Sequence, residues 1–411
     1  MNILYIEHYA GTPSLGMEHR PYYLARQWVH AGHAVRIIAA SYSHYRAHQP
    51  SIDTTTKLCS REIIDSIEYD WIHTPSYTGN GIGRVRNIFT FLFKLRRLSA
   101  QIIREFKPDM VIASSTYPMD IYVAHHISHL SHAKLIFELH DLWPLSPIEV
   151  GKMSPYHPFM ILCQHAENYA YAHADAVVSI LPKVHEHVEK HGLALHKLHI
   201  IPNGINSGDW VEDTAALSEE MVVCYKKWRK NRFVVGYAGQ HGVANALDTF
   251  IQAALRMPEI GFVLVGHGQE KERLQREADH ADNILFLDAV PKKAIPYLLS
   301  SMDALYIGWK HSPLYRYGIS PNKLIDYMMS GKPIIHAVDA GNDDVREAGC
   351  GLSIPPEDIG SLMDAIHKLA QYTDAQRVVM GNSGKKYVTL HHEYSILAEK
   401  FLAVMRELQN S

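Results

Sequence analysis

Short apolar segments alternate with helical patterns along this chain, and this alternation limits the possible folds more than any other feature of the sequence. Strand-like runs at 3–6 and 34–40 enclose a turn-rich segment, Gly11 to Gly16, and a helical pattern. Strand, helix and strand within about forty residues form a βαβ unit, which favours a parallel sheet. Further strands are predicted at 110–113, 135–139, 176–181 and 198–201. The first half is therefore predicted to be a doubly wound α/β domain.

The second half repeats the pattern. The breaker cluster Pro202-Asn203-Gly204 and a polar stretch precede strands predicted at 233–237, 261–265, 284–287, 304–307 and 333–337. A length of 411 residues suits two domains. We therefore predict two Rossmann-like doubly wound α/β domains, at 1–204 and 205–390, facing across a cleft. A last helix within 391–411 is predicted to pack back towards the first domain.

Composition and charge exclude several classes of protein. A formal net charge of −3 argues against a protein that coats nucleic acid. The four cysteines lie far apart and lack the spacing of metal ligands. His125, His129 and His132 would share a helix face without a carboxylate, so no metal site is predicted. The chain begins directly with a strand-like run and has no long apolar segment, so we expect a cytoplasmic protein.

The segment 315–333, YRYGISPNKLIDYMMSGKP, carries the most specific signal. Ser320 and Pro321 are predicted to cap and open a short helix that ends at Gly331. Lys323 adds a cation to a helix end that is already positive, which makes sense if an anion such as a diphosphate binds there. Asp326 could accept hydrogen bonds from ribose hydroxyls. The alternative is a capped helix with a solvated lysine and aspartate.

This segment resembles the nucleotide-sugar-binding helix of retaining GT-B glycosyltransferases of family 4, particularly the branch that builds surface polysaccharides such as O-antigen and capsule. That branch shows SPNK, then KLFEYM or KLFDYM, then GKP. Four more segments match the family: ELHDLWP at 138–144, IPNGI at 201–205, YAGQHGVANAL at 237–247 and LVGHGQEKERL at 264–274. The resemblance implies a GT-B fold with an acceptor-binding first domain and a donor-binding second domain.

The resemblance also implies the substrates and the site. The donor would be a nucleoside diphosphate sugar, with UDP expected, and the acceptor a saccharide, free or linked to polyprenol. Neither a metal ion nor another cofactor would be required, and retention of the anomeric configuration is expected. Donor-binding candidates are Gly16, Gly239, Gly242, Gly266, Gly268, Lys271, Ser320, Asn322, Lys323 and Asp326. His140, Asp141 and Lys323 are the catalytic candidates. The glycines could instead serve plain tight turns, and Asp141 could simply cap a strand end.

Two positions depart from the family pattern. Where the wider family has two glutamates eight positions apart, this chain has Gly318 and Asp326. The loop at 239–245 lacks the arginine and lysine that hold the diphosphate in the wider family. Lys323 and Lys271 are the predicted replacements.

The segment 84–97, RVRNIFTFLFKLRR, combines apolar side chains with five cations. Such a segment can lie in an anionic membrane interface, which would make the protein peripheral on the inner membrane. A core helix with a basic outer face is the alternative. The acceptor or membrane candidates are Arg20, Arg84, Arg86, Lys94, Arg96 and Arg97, although Arg20 could equally pair with surface acids.

Three other functions remain open at this point. A nucleotide-sugar 2-epimerase has the same architecture. A nicotinamide-dependent oxidoreductase also uses Rossmann domains, but the GxGxxG fingerprint is missing near the N-terminus. A catalytically silent nucleotide-sugar-binding subunit would explain the missing first acid and the missing loop cations.

Overall fold

The computed structural model describes residues 1–52, 58–79, 81–211, 213 and 217–410. These residues form two compact units. Unit 1 comprises Met1–Asn203 together with the segment from Tyr394 onward, and unit 2 comprises Gly204–Glu393. In the described part of the chain, no helix is long and apolar enough to cross a bilayer.

Unit 1 is built on an eight-stranded sheet in the order β3-β4-β2-β1-β5-β6-β7-β8. Its strands are β1 Asn2–Ile6, β2 Ala34–Ala40, β3 Cys59–Ile64, β4 Ile67–Ile72, β5 Met110–Ala113, β6 Lys134–Leu139, β7 Ala176–Ser179 and β8 Leu198–Ile200. All neighbours are parallel except β3 and β4, which form an antiparallel hairpin at the edge. The central strands are buried because helices cover both faces of a parallel sheet.

The helices of unit 1 that precede unit 2 in the chain cover this sheet. They are α1 Arg20–His30, α2 Ile82–Phe106, α3 Ile121–Ser131, α4 Leu145–Glu149, α5 Pro158–His173 and α6 His185–Lys190. Helix α2 turns its buried side, which includes Ile88, Phe91 and Leu95, towards the core. The opposite side of α2 is exposed.

Unit 2 has a six-stranded parallel sheet in the order β11-β10-β9-β12-β13-β14. Its strands are β9 Val234–Ala238, β10 Gly261–Val265, β11 Ile284–Leu287, β12 Ala304–Gly308, β13 Ile334–Ala337 and β14 Gly351–Ile354. Its helices are α7 Glu219–Arg229, α8 Leu247–Arg256, α9 Lys271–Glu277, α10 Ile295–Ser300, α11 Asn322–Met329, α12 Asp344–Ala348, α13 Ile359–Gln371 and α14 Asp374–His391. The predicted class, two doubly wound α/β domains with parallel sheets, is confirmed.

The last helix, α15 Tyr394–Asn410, belongs to unit 1 although it follows unit 2 in the chain. It packs on α1: Trp28 Nε1 donates to the carbonyl of Ala398 at 3.1 Å, and the rings of Trp28 and Phe401 lie 5.2 Å apart. The rings of Tyr23 and Tyr394 stack at 4.9 Å. Unit 1 is therefore completed by residues that lie nearly two hundred positions after its main segment.

Strand order reverses once in each sheet, between β1 and β5 in unit 1 and between β9 and β12 in unit 2. In open α/β sheets, ligands bind beyond the carboxyl ends of the strands at such a switch point. A site is therefore expected at the carboxyl ends of the strands around each switch point, which include those of β1, β6, β9 and β10.

Candidate functional site

Two glycine-containing loops pack against each other at the carboxyl ends of β9 and β10. A Cβ added to Gly266 would lie 2.0 Å from the carbonyl oxygen of Gly239, and a Cβ on Gly268 would lie 2.3 Å from that of His241. Both residues also have positive φ, +143° and +154°. Close backbone packing therefore explains Gly266 and Gly268 without a ligand.

Some backbone amides of these loops donate hydrogen bonds within the protein, and others do not. Gly239 N donates to Val265 O at 2.9 Å and Gly266 N to Leu287 O at 3.1 Å. The amides of Gly242 and Gly268 donate to none of the residues that the structure describes. Both glycines are partly exposed, so their N–H groups could meet an anion at the sheet edge.

Lys323 reaches from the first turn of α11 to the end of β9. Its Nζ donates to the hydroxyl of Tyr237 at 2.6 Å and to Asn245 Oδ1 at 3.1 Å, and it lies 4.2 Å from the centre of the Tyr237 ring. A Cβ on Gly239 would lie 2.6 Å from Lys323 Cε, so this glycine makes room for the side chain. Among the described residues, no carboxylate pairs with the ammonium group.

Burial without a counter-ion weakens the charge of this lysine. It lowers the pKa of Lys323 to about 7. His241, in the same loop, is fully buried, and burial together with Lys271 and Lys323 lowers its pKa to about 4. His241 is therefore uncharged near neutral pH and cannot replace a cation of the loop. Lys323 is thus an ammonium group at the edge of unit 2 that an anion would stabilise.

Lys271, the other predicted phosphate ligand, has a different role in the structure. Its Nζ pairs with Asp288 Oδ1 at 2.7 Å and donates to the carbonyl oxygens of Gly266 and Leu287 at 3.0 and 3.2 Å. These three contacts occupy all three ammonium hydrogens. Lys271 thus ties the loops after β10 and β11 together in the structure, and its role as a phosphate ligand stays a prediction.

Helix α11 begins one residue later than predicted. Pro321, not Ser320, is its N-cap, and the side chain of Pro321 cannot satisfy the first amides. Asn322 and Lys323 therefore open the helix, and Gly331 follows its end with a φ of +69°, as predicted. The positive end of α11 lies at the switch point because this helix follows β12.

Asp326 lies one turn into α11 and pairs with Lys292 through its Oδ2. The pairing leaves Oδ1 for a further hydrogen bond. The loop before the helix is fixed by Asn342, which accepts from Ile319 N at 2.8 Å and donates to Ile319 O at 3.1 Å. Gly318 takes a φ of +90° in this loop, a backbone conformation that suits glycine.

In unit 1, a buried carboxylate lies beneath the end of β6. Glu138 Oε1 pairs with Arg20 at 2.9 Å, and Oε2 accepts from Ser114 Oγ at 2.6 Å and from the hydroxyl of Tyr5. Burial alone would raise the pKa of Glu138, but Arg20, followed by His140 and Ser114, holds this pKa well below its usual range. Glu138 is therefore an anion at any pH near neutral.

His140 is the catalytic candidate that this anion touches. Its Nε2 lies 2.8 Å from Ser114 Oγ and 3.2 Å from Glu138 Oε2, and its side chain keeps 13% of its surface exposed. Asp141 instead accepts from Leu142 N at 2.8 Å and from the hydroxyl of Ser146. Burial raises the pKa of Asp141. The capping alternative thus fits Asp141, whose carboxylate is already engaged next to its own strand end.

Gly16 is held inside the loop after β1. It has a φ of +111°, its amide donates to Thr12 O at 2.8 Å, and a Cβ would lie 2.9 Å from Ala47 N. The amide of Gly16 is therefore engaged inside its own loop, and a role of Gly16 in donor binding stays a prediction.

The structure contradicts two of the acceptor or membrane assignments, Arg20 and Arg84. Arg20 is 2% exposed and donates to Glu138 and to the carbonyls of Ile201 and Pro202. Arg84 is buried against the rings of Tyr9, Tyr45 and Trp143, and its Nε donates to Tyr9. Lys94 donates to the carbonyl of His73 at 2.8 Å. Neither Arg20 nor Arg84 presents its charge to an outside surface, whereas Lys94 is partly exposed and its role stays a prediction.

Arg86, Arg96 and Arg97 do lie on an exposed face of α2, which we call the α2 face. Its other members are Ile82, Phe89 and Phe93, whose side chains are 88%, 44% and 63% exposed. The spacing of 82, 86, 89, 93 and 97 follows one side of a helix. The guanidinium of Arg97 lies 5.8 Å from the centre of the Phe93 ring.

Among the described residues, one group has side chains close enough to share a metal ion: Glu167, His187 and His191. Its members already bond one another and their own helices: His187 Nε2 lies 2.7 Å from Glu167 Oε1, and His191 Nδ1 donates to His187 O at 2.8 Å. His125, His129 and His132 are not part of this group.

Comparison with known proteins identifies the chain. The family described as Glycosyltransferase Family 4 matches residues 15–208, and the family described as Glycosyl transferases group 1 matches residues 232–372. The two matches follow the two units and cover most of the chain. The chain is a family 4 glycosyltransferase with the GT-B fold. The residues described above must therefore account for the use of a nucleotide sugar by this glycosyltransferase.

Two solved structures share the fold over the whole chain. Sucrose-phosphate synthase from Thermosynechococcus elongatus has a TM-score of 0.74 and 16% identity, with 100% of both chains covered. HepE from Anabaena, in complex with UDP, has a TM-score of 0.70 and 15% identity, with 99% of this chain and 100% of that chain covered. At this identity the likeness concerns the fold alone.

One curated relative matches over a shorter range. The 2-deoxystreptamine N-acetyl-D-glucosaminyltransferase of Streptomyces fradiae is 26% identical over 156 residues. The matched part is 36% of this glycosyltransferase and 35% of that enzyme, so the chain spans about a third of the relative's length.

Sequence reasoning missed four side chains at these edges: Tyr237 and Asn245, which hold Lys323, and Glu138 and Ser114, which hold His140. Glu138 carried a usable signal, since a carboxylate inside an apolar strand must be paired. Nothing in the sequence indicated its partner Arg20, which lies 118 positions away.

Proposed function

We propose that this glycosyltransferase transfers a sugar from a UDP-sugar to a hydroxyl of a saccharide acceptor, without a metal ion and with retention of configuration. The observation that carries the donor half is Lys323, a half-buried ammonium group at the positive end of α11 that no described carboxylate neutralises. A diphosphate supplies the missing negative charge. HepE binds UDP, which supports this choice of nucleotide.

The chemistry requires stabilisation of the leaving group. As the bond between the anomeric carbon and the diphosphate oxygen breaks, negative charge grows on the diphosphate, and donors held in place for that charge lower the barrier. Lys323 and the amides of Gly242 and Gly268 are the available donors. The acceptor oxygen bonds to the anomeric carbon on the same face, and its proton passes to the departing diphosphate. No enzymic nucleophile is needed, and Asp326 would bind the ribose through Oδ1.

A panel of nucleotides tests the donor assignment first. Because a ligand that binds only the folded state raises the melting temperature, UDP should stabilise the protein more than GDP, ADP, CMP or NAD. Stabilisation by NAD alone, or by none of these, would overturn the proposal. Lys323→Met should lose the response to UDP, whereas Lys227→Met, which changes an exposed lysine of α7, should keep it.

Product analysis then separates the remaining functions. UDP-sugar incubated with saccharide acceptors, with and without a chelator, should yield UDP and a glycoside whose anomeric configuration matches that of the donor. Conversion of the UDP-sugar without an acceptor would favour a nucleotide-sugar 2-epimerase. Binding of UDP without turnover on any acceptor would favour a silent subunit. Loss of activity with the chelator would contradict a metal-independent mechanism.

We further propose that the acceptor is linked to a lipid and belongs to surface polysaccharide synthesis, with the α2 face resting on an anionic membrane. The supporting observation is that the α2 face combines exposed aromatic rings with exposed arginines, so apolar burial and charge attraction act together. Vesicles of anionic lipid should bind the protein at low salt and release it at high salt. Phe89→Ser with Phe93→Ser should weaken this binding, and Lys227→Met should not. Equal binding of the double variant and the parent would remove the membrane proposal.

A further inference from the structure

We propose that Glu138 is a positioning residue that, together with Ser114, fixes the tautomer of His140. In this tautomer Nε2 carries the proton, and Nδ1 is left to accept a hydrogen bond from a hydroxyl of the substrate sugar. The role of Nδ1 rests on the proposed function. The tautomer itself follows from the hydrogen bonds of unit 1 and can be tested without any substrate.

The protonation state of Glu138 decides which nitrogen of His140 carries the proton. This carboxylate is an anion held by Arg20, so both of its oxygens can only accept hydrogen bonds. Ser114 Oγ lies 2.6 Å from Glu138 Oε2, so the single hydroxyl proton of Ser114 points to Glu138. The same Oγ lies 2.8 Å from His140 Nε2. Having donated its proton, Ser114 can only accept there, and His140 Nε2 must therefore be the donor.

The direct contact agrees with this assignment. His140 Nε2 also lies 3.2 Å from Glu138 Oε2, so the Nε2 proton has two oxygen acceptors and no competing donor. In a neutral imidazole with its proton on Nε2, Nδ1 carries the lone pair. Nδ1 makes no hydrogen bond within the described residues, and the partly exposed ring leaves it open at the carboxyl end of β6.

Arg20 determines how a substitution at Glu138 changes the hydrogen bonds, because its guanidinium needs an acceptor in the position of Glu138 Oε1. In Glu138→Gln, the amide oxygen is expected to stay with Arg20, which turns the NH₂ group towards Ser114 and His140. The NH₂ group then takes the place of the acceptor oxygen, so Nε2 can no longer donate a proton there. Ser114 accepts from the NH₂ group and donates its own proton to Nε2. We therefore expect this substitution to move the His140 proton from Nε2 to Nδ1. Ser114→Ala leaves Glu138 as an acceptor and should leave the proton on Nε2.

Nitrogen NMR of protein labelled at histidine measures the tautomer directly, with His140→Gln used to assign the signals. In the parent and in Ser114→Ala, the neutral ring should show a protonated Nε2 and an unprotonated Nδ1. In Glu138→Gln the neutral ring should instead show a protonated Nδ1 and an unprotonated Nε2. A protonated Nδ1 in the parent, or an unchanged tautomer in Glu138→Gln, would overturn the proposal. If Glu138→Gln does not fold, a protonated Nδ1 in the parent or in Ser114→Ala would still overturn the proposal.

Activity then tests the role of Nδ1. Glu138→Gln should lower kcat/KM for transfer by about tenfold or more while the affinity for UDP in unit 2 stays the same. The double variant with His140→Gln should be no worse than His140→Gln alone, since both changes remove one interaction. Additive losses would contradict a role through His140. Glu167→Gln is the matched control, since it disturbs another buried carboxylate–histidine pair of unit 1, with a contact of 2.7 Å to His187, and should leave kcat/KM unchanged. A parent that binds no UDP would contradict the proposed function but not the tautomer.

Discussion

The charge of Lys323 should make UDP binding depend strongly on pH. Burial lowers the pKa of this lysine from 10.5 to about 7 in the free protein. A bound diphosphate favours the charged form, so binding raises the pKa back towards its ordinary value. When the pKa of a group rises on binding, the ligand binds together with a proton. The affinity therefore falls with increasing pH between the pKa of the free protein and the pKa of the complex. UDP itself keeps a constant charge above pH 7.5 because a phosphate loses its last proton near about 6.

The magnitude follows from these two pKa values. Each pH unit between them changes the binding constant by about tenfold, so affinity should fall roughly 70-fold between about pH 7.5 and 9.5. Close to one proton should be taken up for each UDP bound near about pH 8.5. Calorimetry in buffers with different heats of ionisation measures both quantities in one set of titrations.

Two variants make this prediction specific to Lys323. Lys323→Met should bind UDP weakly, with an affinity that no longer changes over this pH range. Lys227→Met, an exposed lysine of the same unit, should follow the parent. A flat pH profile in the parent, or binding without proton uptake, would refute the reasoning that this buried ammonium group meets the diphosphate.

Two further predictions concern stability and follow from packing and charge. Gly266→Ala should destabilise the protein to urea by at least about 2 kcal/mol, because its Cβ would lie 2.0 Å from Gly239 O at a positive φ. Gly242→Ala, with its nearest neighbour at 3.6 Å and a negative φ, should change stability little, and equal effects would contradict the packing argument. Arg20→Met should cost about 3–5 kcal/mol because it leaves the Glu138 anion buried and unpaired. Arg406→Met breaks an exposed pair and should cost at most about 1 kcal/mol, so a similar loss in both variants would refute this view of Arg20.

Most of the fold could be read from the sequence because the strands of a doubly wound sheet are continuous apolar runs. The predicted limits of β2, β5, β10 and β11 match the structure residue for residue. The edge hairpin of β3 and β4 was missed because β4 contains Glu68 and Asp70. Arg36 pairs with Glu68 at 2.5 Å, and Arg61 pairs with Asp70 at 2.6 Å. The partners that neutralise these carboxylates lie on neighbouring strands, so the sequence shows charges where the fold has a strand.

The sequence predicted site residues that lie within one motif, but it could not predict contacts between residues from different segments of the chain. The motif at 315–333 predicted Lys323 at the start of a helix. It could not predict that Tyr237 and Asn245 would hold the ammonium group, since these belong to β9 and to the segment that follows it. Arg20 and Arg84 were misjudged for the same reason. Each has the charge of a surface residue, and only the folded chain provides the buried partners that accept it.

The place of α15 in unit 1 has a consequence for how the chain is made. A ribosome releases unit 2 as one uninterrupted segment, but it completes unit 1 only when residues 394–410 have emerged. Until then the indole of Trp28 has neither the carbonyl of Ala398 nor the ring of Phe401 beside it. During synthesis the first unit to begin is thus the last to finish. A separately expressed unit 1 would have to carry α15 on a linker joined after Asn203.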